Sequence, residues 1–349
     1  MQHRRCCLGS TNEQSSMSFG HEGAPMNPRS ARTAVVNQLP EPVRQNAQLA
    51  RRVFGHWRDK DRRERDLTVA RGMKGTLPPV RPRRRDQVWA VSVVLNEVDI
   101  IESTVRHHLD QGCDHILIAD NMSNDGTFEL LRDLSRTLPI TVLSDTTKPF
   151  YQGAKVTWLS RVAWLSGARW IIPFDADERW FAPGESLREF FTRNTHPIVA
   201  ATIHNFYPTD DDSDTWRMQV RPHPLTQVAY RSHPLIEAQD GNHHVALPGF
   251  PVSEPGLYMA HFPWRSMEQL RRKVQQGAER IRMTNLGEGI DGYWWQMADT
   301  IDTRVEQTWN CILGRQDVDF DFGYKPQGEF AVVAVQDWQT WPKEFTQHE

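Results

Sequence analysis

Ile116-Leu-Ile-Ala-Asp120 and Trp170-Ile-Ile-Pro-Phe-Asp175-Ala-Asp177 are two apolar runs that each close on a carboxylate, and their reading decides the fold. Short apolar runs bounded by turn residues are the signature of strands buried on both faces. Open α/β sheets bind ligands in the crevice beyond the carboxyl ends of such strands. A carboxylate placed there packs poorly but can meet a hydroxyl, a base edge or a metal ion.

Outward from these runs, strand and helix alternate. Residues 89–95 form a β-branched run, after which Ile101, Val105, His108 and Leu109 recur at helical spacing until Gly112 offers a stop. Strands are predicted at 115–119, 140–143 and 170–174, with helices at 127–134 and through Val156, Leu159, Val162 and Ala163. This order predicts an α/β protein with a parallel sheet and crossover helices. Beyond Trp180 the pattern is mixed: a short helix at 186–192, a strand at 198–206, a Pro-, His- and Asp-rich middle, and a strand at 256–260. Met267, Leu270, Val274, Ala278 and Ile281 then mark one amphipathic helix, and Trp294, Trp295, Ala298, Ile301, Val305 and Trp309 another. Those tryptophans read as core or lid packing rather than a stacking platform.

The 349 residues carry a net charge of −3, with basic residues crowded between Arg51 and Arg85, a balance that does not point to nucleic acid. Cys6, Cys7, Cys113 and Cys311 have no metal-knuckle or redox spacing, which suits reduced thiols and a cytoplasmic setting. No stretch approaches the ~20 apolar residues of a membrane span, and no signal peptide is visible. Peripheral contact at the inner face of a membrane, through the arginines of 51–65 or 81–85, is the minor alternative to a solvated face. Residues 1–39 read as a disordered tail, 40–86 as a basic helical and linker segment ending in Pro78, Pro79 and Pro82, and 87–349 as the catalytic unit.

In Phe174-Asp175-Ala-Asp177, the two-residue period of a strand would turn both carboxylates to one side, where they can hold a hard divalent cation. An isolated D-x-D is more often a solvated turn or a helix cap; the buried strand before it reverses that preference. Glu178 adds a third acid and Arg179 a counter-charge. Asp120 precedes a turn in which Ser123, Asp125 or Thr127 could cap the next helix, so Asp120 itself stays available for a ligand.

The series Val94-Leu-Asn96-Glu97, Ile118-Ala-Asp120-Asn-Met-Ser-Asn-Asp-Gly126-Thr127 and Phe174-Asp175-Ala-Asp177-Glu178 resembles the family 2 glycosyltransferases, and more narrowly a bacterial branch related to family 92. A later His261-Phe-Pro-Trp-Arg265-Ser266, followed by Lys273 and Gly277, extends the likeness over about half the chain. The resemblance implies a GT-A fold: a Rossmann-like mixed, mostly parallel sheet with flanking helices, followed by C-terminal helices. It implies that Asn96, Glu97 and Asp120 line the nucleotide pocket and that Asp175 faces the ribose or the metal. Asp177 and His261 would join Asp175 around Mn2+ or Mg2+, and Arg265 and Lys273, read as two turns apart on one helix, would approach phosphate. The donor would be a nucleoside diphosphate sugar, uridine diphosphate first. The acceptor would be a glycan, a lipid-linked or a small-molecule hydroxyl. Met122 in the turn and the acidic stretch 209–214 depart from the family pattern.

The chemistry gives these groups a purpose, because the leaving diphosphate gathers negative charge that a cation and arginines stabilise. Inverting transfer also needs a general base, for which Asp240, His243 and His244 form the candidate region. The competing reading is a nucleotide-sugar-binding protein of the same fold without catalysis. An Asp-nucleophile phosphohydrolase is disfavoured because Glu178 and Arg179 follow the D-x-D, and a dinucleotide oxidoreductase because no G-x-G-x-x-G follows the first strand. The histidines of the latter half lack zinc-motif spacing.

Overall fold

The computed structural model describes Gly55 and residues 58–82, 84, 86–210, 215–249, 251–283 and 292–334. The tail predicted at 1–39, the first part of the basic helix, residues 211–214 of the acidic stretch and the side chains of Trp294 and Trp295 lie outside the described residues.

Helix α1 (Lys60–Gly72) and the short strand β1 (Met73–Lys74) come first, so the segment before residue 87 contributes to the sheet as well as linking to it. Alternation follows as β2 (Val88–Val94), α2 (Ile101–Asp110), β3 (His115–Asp120), α3 (Thr127–Leu134), β4 (Ile140–Asp145), α4 (Gln152–Leu165) and β5 (Trp170–Pro173). Strands β4, β3, β2 and β5 lie side by side and parallel, while β1 closes the β4 edge antiparallel. Their residues alternate between two cores. Val88, Ala90, Ile116, Ile118 and Ile172 join α2 and α3 on one face, whereas Trp89, Val91, Leu117, Ala119 and Ile171 join α1 and α4 on the other. Burial on both faces is why these strands read as continuous apolar runs.

The second half holds β6 (Glu178–Phe181), α5 (Leu187–Arg193), β7 (Ile198–Pro208), β8 (Thr215–Gln219), β9 (Thr226–Arg231) and β10 (Glu237–Ala238). It continues with a 3-10 turn (Asp240–Asn242), β11 (Val245–Ala246), β12 (Glu254–His261), α6 (Met267–Arg282), α7 (Gly292–Ile312) and β13 (Phe330–Ala334). The sheet runs on from β5 through β9, β7, β12 and β6. Strand β9, absent from the sequence reading, enters antiparallel between β5 and β7. Only residues 174–177 separate β5 from β6, yet β6 ends the sheet path, so the sheet curls back on itself. That curl sets His261 opposite Glu178 and gives Phe262 a hydrogen bond to the Asp177 carbonyl at 2.9 Å, so strand β12 ends at the D-x-D turn.

Helices α6 and α7 pack through Trp264, Leu270, Val274, Ile301, Val305 and Trp309, which makes Trp309 a core residue as its spacing predicted. No helix among the described residues is long and apolar enough to cross a membrane.

Candidate active site

A cleft of about 490 Å³ opens at the carboxyl ends of the parallel strands. Its floor is formed by the end of β2, including Asn96 and Glu97, and by the turn carrying Asp175, Asp177 and Glu178. One wall is α6, with Arg272, Lys273 and Arg280; the opposite wall holds Leu225, Gln227, Asp240 and His243. Tyr324 reaches the cleft from beyond α7.

The backbone around this opening is unusual. The described non-glycine residues with positive φ are Asn96 (56°), Met122 (63°), Asn242 (56°) and Tyr324 (54°). Asn96 and Tyr324 line the cleft, Met122 follows the lining residue Asn121, and Asn242 sits between Gly241 and His243. Left-handed backbone at non-glycine residues costs of order 1–3 kcal/mol and gathers at ligand sites.

The turn after β3 explains its own sequence. Ser123 Oγ accepts from the Asn96 amide at 2.8 Å, Thr127 Oγ1 from that of Glu97 at 2.9 Å and Asp125 Oδ2 from that of Val98 at 3.2 Å. Asn96 returns the bond, its Oδ1 accepting from Asn124 N at 2.7 Å. The motif therefore laces two strand ends together. Of the three side chains expected to cap α3, Asp125 takes the first helical amide, its Oδ1 accepting from Thr127 N at 3.0 Å, while the N-cap position itself is Gly126 at φ 99°. Asp120 takes part in this lacing through one oxygen, its Oδ2 accepting from Ser123 N at 3.0 Å; its Oδ1 is buried with no partner, and the residue is not among those lining the cleft. Its neighbour Asn121 is.

At the cleft floor, Lys273 Nζ donates to Asp177 Oδ2, while Arg265 Nη1 lies 3.6 Å and His261 Nε2 3.8 Å from the same oxygen. Burial pushes the Asp177 carboxyl up, but the facing charges outweigh it and hold it below the usual carboxylate range. Burial also drives His261 down to about 3, so it is neutral, and the ammonium and guanidinium carry the effect on Asp177. Burial, followed by the Asp177 charge, raises Asp175 to about 7. Asp175 Oδ1 accepts from Gln152 Nε2 at 3.0 Å, and its amide donates to Glu178 Oε2 at 2.8 Å.

The donor chemistry fits a divalent cation. Asp175 and Asp177 supply carboxylate oxygens, and His261 pairs Nδ1 with Asn205 Oδ1 at 2.8 Å, which places the proton on Nδ1 and leaves Nε2 a lone pair toward Asp177. Two acceptors facing each other call for a positive group between them. Lys273 supplies one at Asp177, and among the described residues no three His, Cys, Asp or Glu side chains stand close enough to form a complete metal cage.

The other predicted residues divide. Glu97 lines the cleft and pairs with Arg265, which also binds Asp99 at 2.7 Å; Arg265 precedes the N-cap Ser266 of α6 rather than sharing that helix with Lys273. In the base region, His243 lines the cleft, its Nδ1 2.8 Å from the Thr226 carbonyl. That carbonyl can only accept, so Nδ1 donates to it and Nε2 is the ring nitrogen left for a ligand. Asp240 lines the cleft but caps the start of α4, with Oδ1 accepting from Gly153 N at 2.7 Å. His244 is exposed and outside the lining. Gly241, at φ 75°, lets the His243 ring approach, because a Cβ there would stand 2.8 Å from Nε2.

Several cleft residues escaped the sequence reading. Arg272 donates to the Asn96 carbonyl at 3.1 Å, and Arg280 to the Lys148 carbonyl at 2.8 Å and Asn121 Oδ1 at 3.2 Å. Their spacing of one helical face with Gln269 and Gln276 was the available signal. Lys155 is buried against Asp145 at 2.8 Å and the Thr147 carbonyl at 2.9 Å, on the helix leading into β5. Gln152, Gln227 and Tyr324 carried no local signal at all.

No family model and no curated protein matches this chain. Among solved structures it is similar to a mannosyltransferase, PcManGT from Pyrobaculum calidifontis, in complex with GDP-Man and Mn2+, at 15% identity and TM-score 0.36 over 77% of this chain and 83% of that one. It is also similar to S. aureus TarS in complex with UDP, at 12% identity and TM-score 0.34 over 64% and 73%. Likeness at this level carries no functional weight, and the reading below rests on the cleft.

Proposed function

We propose that the protein is a glycosyltransferase that moves a sugar from a nucleoside diphosphate donor, uridine diphosphate sugars first, to a hydroxyl acceptor with inversion. The observation that carries this reading is the convergence of the D-x-D acids of the sheet and the cations of α6 on one cleft at the strand ends. Lys273, Arg272 and Arg265 supply the positive charge that a departing diphosphate needs. Asp177, with Asp175 or His261 as one further ligand, would offer part of a shell to Mn2+ or Mg2+, which when bound would add Lewis-acid neutralisation of the same leaving group.

In this reading, the acceptor hydroxyl gives its proton to His243 Nε2 as its oxygen bonds to the anomeric carbon. The bond from that carbon to the phosphate oxygen breaks on the opposite face, and the diphosphate leaves with the electron pair. The Thr226 carbonyl keeps His243 in the tautomer this requires. Initial rates of transfer from a panel of uridine and guanosine diphosphate sugars, with Mn2+ or Mg2+, test the proposal in wild type and His243→Ala. Binding without product for any donor would leave a nucleotide-sugar-binding protein; product formation undiminished in His243→Ala would remove the base assignment.

A further inference from the structure

The wall opposite α6 has features the donor does not explain. Gln227 is only 4% exposed and lines the cleft; one of its amide atoms meets Glu178 Oε1 and the other is buried with no partner. A buried polar atom without a partner costs about 1–3 kcal/mol, which a ligand group in the cleft can relieve. On the same wall His243 is held through Nδ1 by the Thr226 carbonyl, which leaves Nε2 as the ring nitrogen for a ligand. Leu225 stands 47% exposed in the lining, an apolar side chain with nothing of the protein over much of it. Tyr324, on strained backbone at φ 54°, reaches the cleft from the α6 and α7 core, its ring 4.6 Å from that of His261 and 5.7 Å from that of His223.

We propose that Leu225, Gln227, His243 and Tyr324 form the acceptor subsite, and that it takes a neutral, hydroxyl-rich ring, a sugar or cyclic polyol. This rests on the glycosyltransferase reading and adds to it where the acceptor lies and what it is. The chemistry follows from the wall. A hydroxyl both donates and accepts, so it can serve the unpartnered Gln227 amide atom and the His243 ring nitrogen alike. An anionic acceptor would face the Asp240 carboxylate, which lines the same wall. An amine would bring a further positive charge into a cleft already holding Arg272, Lys273 and Arg280. Leu225 and Tyr324 give the apolar face that a sugar ring presents on its C–H side.

The test compares acceptor KM, from transfer to free monosaccharides, methyl glycosides, myo-inositol, glucuronic acid and glucosamine, with the Kd for uridine or guanosine diphosphate. In Gln227→Met, which keeps the shape and removes the amide, acceptor KM should rise ~10-fold or more while the nucleotide Kd moves less than ~2-fold. Leu225→Ala, at an exposed position that cannot unsettle the core, should raise acceptor KM ~3-fold or more with the same split. An unmoved acceptor KM in both variants, or an equal shift in nucleotide Kd, overturns the subsite. Glucuronic acid or glucosamine as the best acceptor overturns the neutral class. If wild type binds no nucleoside diphosphate, the enzymatic reading itself falls, a result distinct from either.

Discussion

The two walls of the cleft are built from opposite chemistry. The α6 wall presents Arg272, Lys273 and Arg280, each engaged with an acceptor of the sheet: the Asn96 carbonyl, Asp177 and Asn121 with Lys148. The facing wall holds Leu225, Gln227, Asp240 and His243; Asp240 is committed to the Gly153 amide, and the Gln227 amide keeps one buried atom without a partner. A cationic wall suits charge that develops as a bond breaks; a wall without lysine or arginine suits a hydroxyl nucleophile. Under the proposed function the leaving group would lie against the first and the acceptor against the second.

The largest effect should come from the residue on which the charged wall is centred. Asp177→Ala removes the partner of Lys273 and the carboxylate facing His261, and should cut transfer by ~10²–10³-fold or more in initial rates with Mn2+. Retained turnover would break the division of labour. Lys273→Met should come next, through stability as well as binding. It leaves Asp177 buried without its ammonium partner, and loss of one member of such a pair costs about 3–5 kcal/mol, readable as a lowered urea midpoint. An unchanged midpoint would mean that Arg265 alone satisfies Asp177.

A pH experiment sharpens the contrast within the acid pair. Asp175 is raised from its ordinary 3.8 to about 7, so its contribution to stability is full below pH ~4 and is lost as pH rises through about 7. Asp177 is shifted the other way, and its contribution is lost only under acid conditions. Urea unfolding of wild type and Asp175→Asn should therefore diverge between pH 4 and pH 7 in favour of the variant, at up to ~1.4 kcal/mol per pH unit. Parallel curves would show Asp175 ionised throughout. The smallest effect belongs to Arg280→Ala at the end of α6, where nucleoside diphosphate affinity should fall ~3–10-fold by titration, with a weaker salt dependence.

Legibility followed the same division. The parallel half of the sheet was readable because β2, β3 and β5 are buried on both faces and leave unbroken apolar runs. The D-x-D could be picked out because charge directly follows such a run. Asp120 met the same criterion, and there one oxygen serves its own turn while the other is buried without a partner. Strand β9 was hidden in a Pro- and His-rich stretch with one exposed end, where no period emerges. The facing wall was hidden for a related reason. Gln227, the turn Asp240–Asn242 and Tyr324 meet only because the sheet curls and the chain returns after α7, a long-range event with no trace in local spacing.

The proposed function requires that a nucleoside diphosphate bind where the D-x-D acids meet the cations of α6. Calorimetric titration of uridine and guanosine diphosphate, with Mn2+ present, into wild type and Asp177→Ala tests this most directly. At least one nucleotide should bind wild type with micromolar affinity and bind the variant at least ~10-fold more weakly. Failure of both nucleotides to bind wild type, or equal affinity in the variant, would contradict it.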